Sequence, residues 1–438
     1  MLGIMKGDTG DSRTLANITT TLIKLMMMKK FSLFVLLAFL PLVTRSQTKI
    51  QVHGVWYSLC TDPAVCKVRV AEVIGPELRN ITNVGVASQV VYNHESYIVT
   101  SMGSRCFADC VYLTSVPIPS TITEISDAFM NCSSLTSISI PNSVSYLGPN
   151  AFYGCSSLTS ISIPNSVSYL GPGAFYQCSS LTSVTLSNNL ETLPRWVFYE
   201  CSKLPSVTIP NSVTNIEDEA FRGCSSLTSV DIPNSVKNLG KGAFRECSSL
   251  TSVTIPNSIS EIGECAFMDC SSLTSVTIPN SISIIDEASF YGCSSLKSLT
   301  IPSSVSAIWV SAFAEMSSLK NVYCYAEDVP KTHEYAFFSS SIESATLHVP
   351  AESVELYKES YPWNQFMSIV PLGSEMLGDA NCDGIVDMRD IDIIVEFIKK
   401  GKVDSFSFEN ADANGDDKVD VADIVTVLNI INNTSKKI

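Results

Sequence analysis

Two twelve-residue stretches near the C-terminus carry oxygen-bearing side chains at the same offsets. Asp379, Asn381, Asp383, Asp387 and Asp390 occupy positions 1, 3, 5, 9 and 12 of the first. Asp412, Asn414, Asp416, Asp420 and Asp423 occupy the same positions of the second, and Asp412 follows Asp379 by 33 residues. Calcium takes six to eight oxygens, and a loop of this length supplies them from positions 1, 3, 5, 7, 9 and 12. Position 7 gives its backbone carbonyl, and position 9 often acts through water. Ile385 and Lys418 stand at position 7 and complete the two sets. Gly384 sits at position 6, where the turn is sharpest; the second copy has Asp417 there, a residue type that tolerates left-handed backbone. Two calcium ions are expected, one per loop. A merely solvated acidic tail is the competing reading, but it does not account for the shared register.

Each loop runs into an apolar helix. Ile391 to Lys399 places Ile391, Ile394, Val395 and Ile398 on one face, and Ile424 to Ile431 follows the second loop. Position 12 is Asp rather than the Glu of an ordinary EF-hand, and no helix is expected before either loop. Paired loop–helix units of this kind resemble a type I dockerin over residues 377–433. That resemblance implies folding on two calcium ions and docking onto a cohesin-type module of another protein. It also implies partner contacts at positions 10 and 11, which are Met388 and Arg389, then Val421 and Ala422. The two pairs differ, which argues against two equivalent docking orientations.

Upstream, a 23-residue unit repeats about ten times. Cys132, Cys155, Cys178, Cys201, Cys224, Cys247, Cys270 and Cys293 keep the step, and so do the phenylalanines from Phe129 to Phe313. A fixed period in this range marks a solenoid, in which each coil buries its apolar side against its neighbours. Leu158, Ile161 and Ile163 are the inward positions of a typical strand, and Pro164 ends it. The return limb carries Val167 and Leu170; Phe175 and Cys178 then share one face of a helical turn. One parallel sheet with short turns opposite is the expected shape. The outward strand positions are Ser and Thr, such as Thr159, Ser160 and Ser162. They read either as a hydroxyl surface for a glycan or protein strand or as a plain solvated β face. Tyr153, Tyr176, Trp196, Tyr199, Arg222, Arg245, Met268 and Tyr291 are the variable positions around the turn, candidates for a partner or for packing between coils.

The chain has 15 cysteines, yet Met316 fills the cysteine column one step after Cys293. Met can replace a packed thiol but not half a disulfide, so the column is expected to be free thiols. Cys60 and Cys66 are the better disulfide candidates, and Cys265, at an outward position, is expected to be an exposed thiol. The formal net charge is −15, and the tail from Ser374 onwards holds about half of it. Without a basic patch, nucleic-acid binding is not expected.

The motif AFYGCSSLTSISIPNSVSYLG resembles the BspA-type leucine-rich repeat of bacterial surface and secreted proteins, and HVPAESVELYKESYPWNQF resembles flanks common in them. This resemblance, over roughly 50–372, implies adhesion or surface recognition. The expected fold is an α+β repeat solenoid, a right-handed leucine-rich-repeat coil with a parallel sheet on one face, followed by a small all-α calcium-binding dockerin.

The expected partition starts with residues 1–27, a mis-assigned start or an extension. A signal peptide occupies 28–46, with Met28-Lys29-Lys30 before the apolar Phe31 to Val43 run, and export by the general secretory route follows from it. An N-terminal β cap follows at 47–105, repeats at 106–325, a C-terminal cap and linker at 326–373, and the dockerin at 374–438. No second apolar run reaches membrane-spanning length.

Three functional readings follow. The first is a secreted or cell-surface, non-catalytic recognition protein whose array binds a protein or glycan and whose tail attaches it to a cohesin. The second is an accessory component or enzyme of a polysaccharide-degrading, cellulosome-like complex, which would need two carboxylates facing across a cleft. The third is a spacer. The array offers few acids, and His53, His94, His333 and His348 are scattered, so no catalytic residue is expected.

Overall fold

A computed structural model describes residues 48–60, 70–77, 79–372, 377–381, 386–403, 406–416 and 418–434. The expected signal peptide and the residues before it lie outside these. The described residues belong almost entirely to one compact unit, Lys49–Ile438. Among them, no helix is long and apolar enough to cross a membrane.

Five strands form the leading sheet: β1 (Thr48–Val52), β2 (Val55–Leu59), β3 (Val70–Pro76), β4 (Gln89–Tyr92) and β5 (Glu95–Met102). Their order is β1-β2-β3-β5-β4. Val52 to Tyr57, which alternates like one strand, is instead split by a tight turn. His53 and Gly54 take φ of 49° and 80°. Left-handed conformation at both central residues defines the hairpin turn whose twist matches paired strands. Asn93 and His94 do the same between β4 and β5. Cys60 is disulfide-bonded; its expected partner Cys66 lies outside the described residues. The sheet passes directly into the first coil, where the Thr114 amide donates to the Thr82 carbonyl at 2.9 Å.

The array then advances by whole coils. Ser183, Val184 and Thr185 pair in parallel with Ser160, Ile161 and Ser162, and the same 23-residue offset joins Ser206–Thr208 to Ser229–Asp231 and on to Ser275–Thr277. Outward residues are exposed and the central aliphatic is buried in most of these strands. The single expected sheet is a correction: the return limb forms a second parallel ladder of two-residue strands. Tyr146–Leu147 pairs with Tyr169–Leu170, and Asn215–Ile216 with Asn238–Leu239. One inward aliphatic per two-residue strand is enough to set this register because the neighbouring coil presents the same group one step away.

The turns make a third ladder. The Phe129 amide donates to the Ala151 carbonyl at 3.0 Å, and the Asn131 amide to the Tyr153 carbonyl at 2.6 Å. The residue before each column cysteine is left-handed, including Gln177 (φ 55°), Glu200 (φ 55°) and Glu246 (φ 62°). Non-glycine residues there cost about 1–2 kcal/mol each. The inter-coil amide bonds, repeated at every turn, offset that cost. Inside, Phe107 to Phe337 form one unbroken stack with ring centroids 5.2–5.8 Å apart. Beside it the column cysteines are free and buried. Each thiol donates to the carbonyl of the previous coil's phenylalanine, as Cys155 Sγ does to Phe129 at 3.2 Å and Cys201 Sγ to Phe175 at 3.2 Å.

Beyond residue 325 the step lengthens but the coil continues. Phe337 stands 24 residues after Phe313 and still stacks on it at 5.5 Å. Asn321–Cys324, Thr346–Val349 and Ser368–Pro371 extend the parallel sheet. The Thr346–Val349 strand is therefore followed by one more, Ser368–Pro371. Helix α1 (Val354–Glu359) and the buried Trp363 close the end. The Trp363 indole donates to Thr332 Oγ1 at 3.0 Å, and the Tyr357 hydroxyl to the Ala326 carbonyl at 2.9 Å.

Candidate metal centre

The tail is built from α2 (Met388–Lys400), a single turn α3 (Phe408–Ala411) and α4 (Val421–Thr434). Its own core gathers Ala380, Ile391, Ile394, Phe406, Ala411, Ala413 and Val427. Ala380 and Ala413 are both position 2 of their loops, so the duplication buries equivalent groups on both sides. The turn α3 was not expected from apolar spacing. Ser407 caps it, its hydroxyl accepting the Asn410 amide at 3.2 Å. Asn410 then donates through Nδ2 to the Asp379 carbonyl at 2.9 Å, and its own carbonyl accepts the Gly378 amide. The turn thus pins the start of the first loop. The Ser-x-x-Asn pattern is the sequence signal that could have found it.

Both helices begin earlier than the apolar pattern suggests, at Met388 and Val421. Position 12 therefore lies within the first helical turn. Asp390 is fully buried and accepts the amides of Asn381 at 3.0 Å and Asp387 at 2.8 Å. Asp423, also fully buried, accepts those of Asn414 at 3.1 Å and Asp420 at 2.9 Å. In each loop the last carboxylate folds back across positions 3 and 9. Asp387 and Asp390 form a reciprocal capping box on α2.

Asp379 is buried and Asp412 nearly so. Asp412 Oδ1 accepts the amides of Gly415 and Asp416, at 2.9 and 3.0 Å. The Asp416 amide also reaches Asn414 Oδ1 at 2.9 Å, and Asp416 Oδ1 accepts the Lys418 amide at 3.1 Å. Positions 1, 3, 5 and 7 of the second loop are thus brought together. Asp383 and Ile385 of the first loop, and Asp417 of the second, lie outside the described residues. Among the described residues no three His, Cys, Asp or Glu side chains form a metal-binding group. A calcium donor set of this kind leans on amide and main-chain oxygens as well. Buried carboxylates at positions 1 and 12 fit that ion: a carboxylate withdrawn from water requires a compensating charge or donor.

The loops differ in what stands beside the position-9 carboxylate. Arg389 grips Asp387 with Nε 3.1 and 3.0 Å from the two carboxylate oxygens and Nη2 2.8 Å from one of them. This holds the Asp387 carboxyl below its ordinary range. Position 11 of the second loop is Ala422, whose amide donates to Asp420 Oδ1 at 2.7 Å. Met388, Arg389, Val421 and Ala422 are all exposed.

On the array, threonine hydroxyls are engaged internally. Thr182 Oγ1 donates to the Thr159 carbonyl at 3.0 Å, Thr251 to Thr228 at 3.1 Å and Thr274 to Thr251 at 3.1 Å. These hydroxyls keep acceptor lone pairs toward solvent while their protons are committed. The variable turn positions also pack on each other. Tyr153, Tyr176 and Tyr199 stack at 4.7 and 4.5 Å, and Arg222 lies 5.3 Å over Tyr199. Trp196 stays partly exposed, 4.6 Å from Arg195. A groove of about 480 Å³ runs beside the return ladder between Arg195 and Gly240. Cys265, expected to be exposed, is half-buried between coils, and that burial raises its pKa.

Comparison with known proteins gives these modules their family. The BspA type leucine rich repeat region matches residues 100–228 and 237–361 in six copies. The dockerin type I domain matches 377–432. No curated protein matches the chain. Among solved structures, a leucine rich cell surface protein of Faecalibacterium prausnitzii is 26% identical, over 67% of this chain and 93% of its own, with a TM-score of 0.44. A leucine-rich repeat protein of Bacteroides ovatus is 28% identical, over 71% and 95%, with a TM-score of 0.43. The pneumococcal vaccine antigen PcpA is 19% identical, over 71% and 96%, with a TM-score of 0.49. Leucine-rich repeats are recognition modules, and type I dockerins are calcium-binding assembly modules that pair with cohesins. The repeat match spans more than half of the sequence, and the chain belongs to the BspA-type leucine-rich-repeat family, with a type I dockerin at its C-terminus.

Proposed function

We propose that this is an exported, non-catalytic recognition protein: the array presents a binding face to a protein or glycan outside the cell, and the tail mounts it on a cohesin-bearing partner. The observation that carries this reading is the matched closure of the two loops, each with a buried position-12 carboxylate drawn over positions 3 and 9. Asp379, Asn381, Asp383, the Ile385 carbonyl, Asp387 and Asp390 would hold one calcium ion. Asp412, Asn414, Asp416, the Lys418 carbonyl, Asp420 and Asp423 would hold a second. Bound calcium supplies the positive charge that offsets these carboxylates. The chain's own part is to orient the donors and to start α2 and α4 at the loop ends. Exposed Met388, Arg389, Val421 and Ala422, at the first turns of those helices, are placed to meet a partner.

The continuous strand face, interrupted by few charges, supports recognition over catalysis. Attachment of the array as an accessory to a polysaccharide-degrading complex is the second reading, favoured by the dockerin match alone. Capture of a cohesin module by the full-length chain in calcium, lost in chelator and in the D390A/D423A double variant, is the expected result. Equal capture in chelator would refute calcium-dependent docking. Hydrolysis of a polysaccharide by the purified chain would refute the non-catalytic assignment.

A further inference from the structure

The two loops offer a controlled comparison. Their position-12 carboxylates make the same two amide contacts, at 3.0 and 2.8 Å in one and 3.1 and 2.9 Å in the other. Position 9 caps the following helix through the position-11 amide in both, at 2.8 and 2.7 Å. What separates them at position 9 is the guanidinium at position 11. In the first loop it lies within 3.1 Å of both Asp387 oxygens. In the second, Ala422 has no such group.

Resting on the calcium reading above, we propose that Arg389 makes the loops unequal: Asp379–Asp390 is the weaker calcium site, Asp412–Asp423 the stronger, and the tail loads in two steps. Position 9 contributes to the ion directly or through water. Oxygens held by a guanidinium fork have less negative charge to offer a cation, and a fixed positive charge beside the site repels it as well. The sequence reinforces the asymmetry. The first loop carries Asp379, Asp383, Asp387 and Asp390 against Arg389; the second carries Asp412, Asp416, Asp417, Asp420 and Asp423 against Lys418. Ligand charge count is one of the terms that tunes calcium affinity. Asp417 adds charge to the second loop while taking the place of glycine at position 6, and the added charge outweighs the loss of glycine. Arg389 acts through Asp387 and is a positioning residue, not a ligand.

The test is calcium titration calorimetry on the full-length chain at low ionic strength. The wild type is expected to give two steps. R389A should tighten the weaker step about tenfold and narrow the gap, the size expected for one screened charge near a divalent ion. R389K keeps the charge but loses the fork, and should fall between. The effect should shrink at 0.3 M KCl, because the Arg389 and Asp387 side chains are 60% and 36% exposed. In D423A, which retains the first loop alone, R389A should still tighten binding; in D390A it should change nothing. Should D423A fail to fold, the wild-type and R389A comparison stands by itself. Unchanged or weaker first-loop binding in R389A overturns the proposal while leaving the calcium reading intact. Absence of calcium binding at both loops overturns both.

Discussion

The array and the tail are both products of duplication, yet their interiors are opposites. Twenty-three-residue coils of the array enclose only neutral groups: the phenylalanine stack, the thiols and the aliphatics are all buried. The tail, duplicated at 33 residues, buries Asp379, Asp390 and Asp423 completely around a far smaller apolar core. Neutral interiors can stabilise themselves through contact with the next coil. Buried carboxylates require a compensating charge or hydrogen-bond donors, and a calcium ion would supply the charge. The difference teaches that one half of the molecule should be indifferent to cations and the other governed by them.

The largest expected effect breaks the array by charging its interior. An unfolded chain ionises its thiols near pH 9. In the folded column, burial pushes Cys132, Cys178, Cys224 and Cys270 up to about 12, and raises Cys155, Cys201, Cys247 and Cys293 well above 9. Above pH 9 the unfolded state therefore holds fewer protons than the folded state. Array stability should be level below pH 9 and fall steeply as the pH approaches 12, each unit of pKa difference contributing about 1.4 kcal/mol per thiol. Circular dichroism against pH would show it. An array unchanged at pH 12 would contradict the thiol ladder.

Calcium removal should act on the tail alone. Two sites saturated about a thousandfold above Kd stabilise a fold by about 4 kcal/mol each. Chelator should therefore lower one thermal transition of the full-length chain by tens of degrees and leave the other in place, as read by calorimetry. A shift of both transitions together would erase the distinction between the halves.

A single gap in the stack comes next. Phe221→Ala removes a ring lying 5.4 Å from Phe198 and 5.2 Å from Phe244. The expected cost is about 3–5 kcal/mol, since neighbouring coils close only partly over a cavity. Denaturant unfolding should record it, with the tail's transition unmoved. Smallest is D218N, which removes the 3.0 Å ion pair to Arg195. Both side chains are nearly half exposed, so the loss should stay below about 1 kcal/mol.

Much of this was legible from residue spacing. Met316 in the cysteine column pointed to packed thiols, and every described column cysteine is free. Loop register placed Asp390 and Asp423 as equivalents, which their hydrogen bonds repeat. Other features were periodic without their structure being legible from spacing. The second ladder's inward residues, such as Leu170, Leu193, Ile216 and Leu239, keep the 23-residue step, but one per strand does not tell a strand from a turn. Gln177, Glu200 and Trp196 are left-handed without being glycines, although Gly154, Gly223, Gly173 and Gly242 hold the same columns; bonds from the adjacent coil, absent in any isolated segment, hold them there. Trp363 reads as one more apolar residue until Thr332, far away in sequence, accepts its indole proton.

The amino-acid sequence by itself determined the period, the inward columns and the oxygen-bearing loop positions, because each depends on spacing along one chain. Only the tertiary structure decided how many ladders the coils share, where the array ends and which loop amides and carboxylates meet. It also decided that Arg389 folds back onto Asp387. The ladders and the end of the array depend on which backbone lies alongside which, set by hydrogen bonds between distant residues; the loop contacts depend on how the chain turns into α2 and α4.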